Sequence, residues 1–175
     1  MDKLQKTITV KAAPFGIKDK IGYMFGDIGN NFSFNVVNSF LMIFYTNVLG
    51  LTGAQVGILF IIARFVDAFA DITVGRLVDN SKLHKIGRFK PWMNRMRYPL
   101  LISLVLLFVP IVSSWALPFR LVWVFATYLA WGIFYSSVNI PYGSMASAIS
   151  SDPNDKTSLS TFRAMGSALG RAITC

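Results

Sequence analysis

Ala63-Arg64-Phe65-Val66-Asp67-Ala68-Phe69-Ala70-Asp71-Ile72 lies inside a run from Leu51 to Val78 that is otherwise almost wholly apolar. On an α-helix, residues three and four apart share a face, so Arg64, Asp67 and Asp71 fall on one charged stripe. Ionisable groups inside an apolar, membrane-length helix are costly and mark an ion or substrate path, or an internal ion pair. Arg64 can neutralise one of the carboxylates in a purely structural salt bridge. Two acids against one base still leave a charge over, and a buried surplus charge calls for a cation or a proton.

Outward from this stretch the chain keeps the same character. It has 175 residues, of which 54% are hydrophobic and 14% charged, where a soluble domain carries about a quarter charged residues. Residues 28–63, 98–119 and 121–151 contain no Lys, Arg, Asp or Glu, and roughly 20 apolar residues suffice to span a bilayer. The expected fold class is an all-α polytopic membrane protein.

The net charge of +9 is not a nucleic-acid signature, because the bases gather at the ends of apolar blocks. Lys3, Lys6, Lys11, Lys18 and Lys20 precede the first block, and seven more bases lie from Arg76 to Arg97. Arg120 is the one base in a candidate outer turn. This positive-inside pattern predicts a multi-pass protein of the cell membrane with its N-terminus and residues 79–91 in the cytoplasm. Cys175 is the only cysteine, so no intrachain disulfide forms, and His84 is alone in a basic loop. A nucleophile–base pair or metal cluster is therefore lacking, which speaks against an enzyme. The basic N-terminus runs into a full-length span without a small-residue cleavage site, so no secretory signal is expected.

Residues 1–20 read as a basic cytoplasmic tail, and residues 21–175 as a transmembrane bundle. Spans are expected at about 21–48, 54–78, 92–113, 121–145 and, incompletely, 158–175. Span one carries Asp27, Asn31, Asn35 and Asn38 on one face, flanked by Asn30. Span four carries Tyr128, Trp131, Tyr135 and Asn139 at helical spacing, with Pro141 expected to kink its end. Span three has no polar face and reads as scaffold. Asp152-Pro153-Asn154-Asp155 reads as a turn before span five, which contains Arg163 and several small residues. Polar stripes on spans one, two and four converge if those helices surround a common interior. The alternative for spans one and four is ordinary polar packing between helices. Aromatics edging a polar stripe suit a sugar, whose ring stacks while its hydroxyls pair with amides and charges.

Gly75-Arg76-Leu77-Val78-Asp79 followed by Gly87-Arg88-Phe89-Lys90-Pro91 resembles the signature between spans two and three of the major facilitator superfamily. Phe44-Tyr45-Thr46-Asn47-Val48-Leu49-Gly50-Leu51, Asp67-Ala68-Phe69-Ala70-Asp71, Gly26-Asp27-Ile28-Gly29-Asn30-Asn31 and Asn139-Ile140-Pro141-Tyr142 narrow the likeness. Together they resemble the glycoside–pentoside–hexuronide:cation symporters, over nearly all of residues 21–175. The resemblance implies about five of the family's twelve spans, with the C-terminal half as partner. It implies alternating-access symport of a sugar or glycoside with Na⁺ or H⁺, and no cofactor.

The family's paired span-two aspartates match Asp67 and Asp71, and its span-four hydroxyl matches Ser136; these form the implied cation site. Ala70 stands where the family often has Asn before the second Asp. The implied substrate positions are Asn30, Asn31, Asn139 and Arg163, with Tyr135 able to stack or hydrogen-bond. Three of the charges that the melibiose carriers have there are amides here, so a galactoside preference does not carry over. Asp27 and Arg64 belong to the implied charge network, and Asp79, Arg88 and Lys90 match the cytoplasmic gate charges. Two alternatives stand beside this reading: Na⁺-coupled lysolipid transport on the same fold, and a non-transporting sugar sensor.

Overall fold

The computed structural model describes residues 15–81, 89–150 and 152–174. Arg88 lies outside the described residues, as do residues 1–14 of the basic tail. The described chain is helical throughout. Helix α1 (Ile17–Ile43) continues into a π-helical turn (Phe44–Val48), and α2 (Gly53–Asp79) returns beside it. Helix α3 (Phe89–Leu107) is followed by a 3₁₀ turn (Pro110–Ser114), then α4 (Leu117–Ile149) and α5 (Pro153–Thr174). At 1.5 Å per residue, the 27 residues of α1 or α2 reach about 40 Å, enough to cross the roughly 30 Å hydrocarbon core. Among the described helices, α4 alone is long and apolar enough for a span by length and composition only. Polar and charged residues on the other helices lower their count.

The helix ends follow from local chemistry. Thr52 caps α2 in a capping box: its hydroxyl accepts from the Gln55 N–H at 3.3 Å, and Gln55 Oε1 accepts from the Thr52 N–H at 3.0 Å. The turn before it needs a left-handed residue, supplied by Gly50 at φ 65°. Arg120 then ties the turns at this end together. Its Nη1 donates to the Leu49 carbonyl at 2.5 Å, and its Nη2 to the carbonyls of Ser113 at 2.6 Å and Trp115 at 2.8 Å.

All five helices start ahead of their expected positions, α1 at Ile17 and α2 at Gly53, and the other three with prolines in their first turns. Helix α3 begins at Phe89 rather than Trp92, because Pro91 falls in the first turn, where no N–H is needed. Helix α4 begins at Leu117 with Pro118 in the same role. Helix α5 begins at Pro153 rather than Ser158. The Asp-Pro-Asn-Asp segment read as a turn is a helix start: Asp152 Oδ1 accepts from the Asn154 N–H at 2.7 Å, and Pro153 opens the first turn. Pro141 lies inside the unbroken α4.

Packing divides the bundle into two groups. Helix α1 lies along α5, while α4 lies between α2 and α3. The main core joins Leu41, Tyr45 and Leu49 to Val56, Leu107, Val112 and Val124, all nearly inaccessible. A smaller core forms at the other end, where Tyr23 and Tyr142 stack at 4.6 Å over Leu159. Each of these tyrosine hydroxyls donates to the other residue's carbonyl. Large apolar side chains face outward, among them Phe65 (68% exposed) and Phe69 (73%) on α2. A soluble protein rarely presents so continuous an apolar exterior; on a membrane protein it meets lipid or further helices.

Candidate functional site

The polar stripes of α2 and α4 converge on a cleft of about 150 Å³, which the α1 stripe reaches only through Asn38. Helix α1 contributes Phe34 and Asn38; α2 contributes Arg64, Asp67 and Asp71. Helix α4 supplies the remaining wall with Tyr128, Trp131, Gly132, Tyr135, Ser136, Asn139 and Ile140. The spacing of 64, 67 and 71 on α2 and of 128, 131, 135 and 139 on α4 aims both stripes into this one space.

The charged stripe of α2 is not closed by an internal ion pair. Among the described residues the one salt bridge joins Arg163 to Asp27, so Arg64 does not lock either aspartate. Arg64 and Asp71 are exposed on the open side of the cleft, and Asp67 is half-buried against α4. Asp67 approaches so closely that a Cβ at Gly132 would lie 2.5 Å from its Oδ1. That Oδ1 is buried and has no hydrogen-bond partner. Ser136, one turn beyond Gly132 on α4, lines the same cleft. Two carboxylates and a hydroxyl offer the oxygen-rich surroundings that a hard monovalent cation needs.

Aromatic rings build the α4 wall. Trp131 stacks on Tyr135 with ring centres 5.4 Å apart, and Phe34 packs on the other side of Tyr135, also at 5.4 Å. The Trp131 indole N–H donates to the Ser33 hydroxyl at 3.3 Å, fixing the ring against α1. Asn30 Nδ2 donates to Asn139 Oδ1 at 2.9 Å across the same seam, leaving the buried Asn30 Oδ1 without a partner. Trp131, Phe34 and Gly132 were not singled out as site residues from sequence. The α4 periodicity signals Trp131, whereas the position of Gly132 depends on Asp67 and is visible only once the two helices are packed.

The remaining expected site residues are elsewhere. Asp27 is fully buried between α1 and α5 and accepts three hydrogen bonds. Arg163 Nε donates to Oδ1 at 3.1 Å; the Ser167 hydroxyl at 2.6 Å and Asn31 Nδ2 at 2.7 Å both donate to Oδ2. Asn31 Nδ2 is also 3.1 Å from the Ser167 hydroxyl. Asn31 and Arg163 are thus engaged in α1–α5 packing and do not line the cleft. Arg163 keeps a half-exposed guanidinium over the Tyr142 ring, 5.5 Å from its centre. Asp79 ends α2 and Lys90 lies in the first turn of α3, both exposed.

Comparison with known proteins agrees with this architecture. Residues 22–174 match the family model of MFS/sugar transport proteins. The chain is 39% identical over 153 residues to an uncharacterized symporter, YjmB, of Bacillus subtilis, covering 86% of this chain and 33% of that protein. It is 37% identical over 149 residues to a glucuronide carrier protein homolog of Escherichia coli, covering 85% and 32%. It is 34% identical over 155 residues to an isoprimeverose transporter of Lactiplantibacillus pentosus, covering 89% and 32%. The chain spans about a third of the length of these relatives. With its all-helical bundle, the chain belongs to the MFS/sugar transport protein family, whose members are membrane transporters and not enzymes.

Proposed function

We propose that this chain supplies the cation site and one wall of the sugar site in a secondary active transporter, a symporter of a sugar or glycoside with Na⁺ or H⁺. The carrying observation is the shared cleft: paired carboxylates of α2 on one side, and on the other the α4 wall with a hydroxyl and aromatic rings ending in an amide. Asp67 and Asp71 exceed Arg64 by one negative charge, and a monovalent cation at the carboxylates neutralises it. Sugar binding beside the loaded site is then favoured, with the Tyr135 hydroxyl and the Asn139 amide as hydrogen-bonding groups, because both faces of the Tyr135 ring are taken by Trp131 and Phe34. Arg163 of α5 is held by Asp27 of α1 outside the cleft, with Nη1 3.7 Å from where a Cβ at Gly143 of α4 would lie, so it acts through packing in this reading. Reciprocity requires that sugar raise cation affinity by the factor by which the cation raises sugar affinity. The loaded bundle rocks against the C-terminal half, exposing the cleft to each side in turn. In this reading the protein lies in the cell membrane with its N-terminus and the α2–α3 connection cytoplasmic, where Asp79, Arg88 and Lys90 act at the gate.

The test is calorimetric binding of a glycoside panel to the full-length protein, with and without Na⁺ and across pH, paired with uptake into vesicles. Sugar affinity should rise with the cation, and Asp71→Asn should abolish cation-stimulated uptake. Stimulation that persists in Asp71→Asn would remove the carboxylate pair from the mechanism.

A further inference from the structure

Helix α3 takes no part in the cleft, and its two faces differ. Leu100, Ser103 and Leu107 are buried against α4, in line with the half-buried Met93 and Met96. The opposite face is exposed along its whole length. Lys90, Asn94, Arg95, Arg97 and Tyr98 occupy its first turns, and Leu101, Ile102 and Val105 continue the row. The spacing 90, 94, 97, 101, 105 is one helical stripe, and 95, 98, 102, 105 lies directly beside it.

Among the described residues, the charge on this face, from Lys90, Arg95 and Arg97, has no ion-pair partner. Helix α3 contains no acidic residue and neither does α4, the helix it packs against. Lys90 also lies in the first turn of the helix, the positive end of the macrodipole, where a cation is unfavourable and an anion favourable. One of the three cations is held in place: Arg97 Nη2 donates to the Tyr98 hydroxyl at 2.8 Å, and its guanidinium lies 4.7 Å from the Tyr98 ring centre. A cation beside a tyrosine, followed immediately by an apolar row, complements the order of phosphate, interface and acyl chain in a phospholipid leaflet.

We propose that the outer face of α3 is a docking site for an anionic phospholipid. Arg95 and Arg97 take the headgroup phosphate, Tyr98 orients Arg97 at the interface, and Leu101, Ile102 and Val105 receive the acyl chains. The apolar row commits the site to a lipid over a soluble phosphate. Basic residues at a membrane surface each favour an anionic headgroup by about fivefold.

The experiment is native mass spectrometry of the full-length protein in detergent, offered equal amounts of phosphatidylglycerol and phosphatidylcholine with identical acyl chains. Phosphatidylglycerol should be retained severalfold over phosphatidylcholine. The preference should fall to near parity in Arg95→Gln/Arg97→Gln and persist in Lys18→Gln/Lys20→Gln, which removes equal charge from α1. Tyr98→Phe should weaken it while leaving the charge unchanged. Equal retention of both lipids by the unaltered protein, or a preference untouched by the double arginine change, would overturn the assignment. Displacement by glycerol 3-phosphate at comparable concentration would overturn the lipid as occupant. Because both arginines are exposed, the variants should melt with the parent, and a circular-dichroism melt checks it.

Discussion

Two regions of this bundle bury aspartate oxygens, and they treat them in opposite ways. Between α1 and α5, Asp27 is wholly buried and takes donors from Arg163, Ser167 and Asn31. Between α2 and α4, Asp67 Oδ1 is buried with no donor, and Arg64 on its own helix forms no salt bridge with it. A buried carboxylate oxygen without a partner is costly. The first region has met that cost within the chain, so its residues act as structure. The second leaves it open, and an open cost is what a transported cation can offset. Charge in a membrane helix is thus not enough to identify a site; the count of satisfied lone pairs separates a fastener from a receptor.

The sharpest way to break this comparison is to remove each carboxylate in turn. Asp27→Ala strands Arg163 and leaves Ser167 and Asn31 without their acceptor. Breaking a buried pair costs roughly 3–5 kcal/mol, and the half-exposed Arg163 places the expected loss near the lower end, about 3 kcal/mol. Asp67→Ala removes an unsatisfied group and should leave the protein as stable as before, or more so. Thermal unfolding of both variants in detergent reads the difference. Equal losses would mean that Asp67 is held as firmly as Asp27, and the distinction between the regions would fall.

A second contrast uses glycines, since each region is closed by one. At Gly166 on α5 a Cβ would lie 2.7 Å from the Met24 carbonyl oxygen of α1. Backbone cannot swing aside, so Gly166→Ala must part the two helices, at a cost of about 1–3 kcal/mol. The same melt checks it. An unchanged melting temperature would show that α1 and α5 slide freely and that the Asp27 network does not need their close approach.

How much of this was legible in the sequence depends on the distance over which the signal acts. Long uncharged blocks bounded by bases mark the helices, because hydrophobic length and the charges at its ends are local. The α2 and α4 stripes are readable for the same reason: Arg64, Asp67 and Asp71, or Tyr128 to Asn139, meet through the period of one helix. The partner of Asp27 is not readable, since Arg163 lies far along the chain and nothing local distinguishes a charge that will be satisfied from one that will not. Asn31, by type and spacing a cleft residue, turns instead to Ser167 for a related reason. Adjacent residues of a helix diverge by about 100°, so Asn30 meets α4 while Asn31 meets α5. The start of α5 was obscured differently: Asp and Pro serve turns and helix N-termini alike, and only the Asp152 hydrogen bond decides between them.

Gly132 sharpens the comparison from the other side. Its Cβ would meet not backbone but Asp67 Oδ1, the end of a flexible side chain. That carboxylate has no hydrogen bond at this atom to hold it, so it can rotate away. Gly132→Ala should therefore cost little stability, about 1 kcal/mol or less. The displaced oxygen is, however, a proposed cation ligand, and its movement should weaken cation-dependent sugar binding well beyond that small stability loss. Calorimetry of sugar with and without the cation, set beside the melt, separates the two effects. A large stability loss with unchanged cation dependence would reverse the assignment, making the α2–α4 contact the fastener and requiring the cation to bind elsewhere.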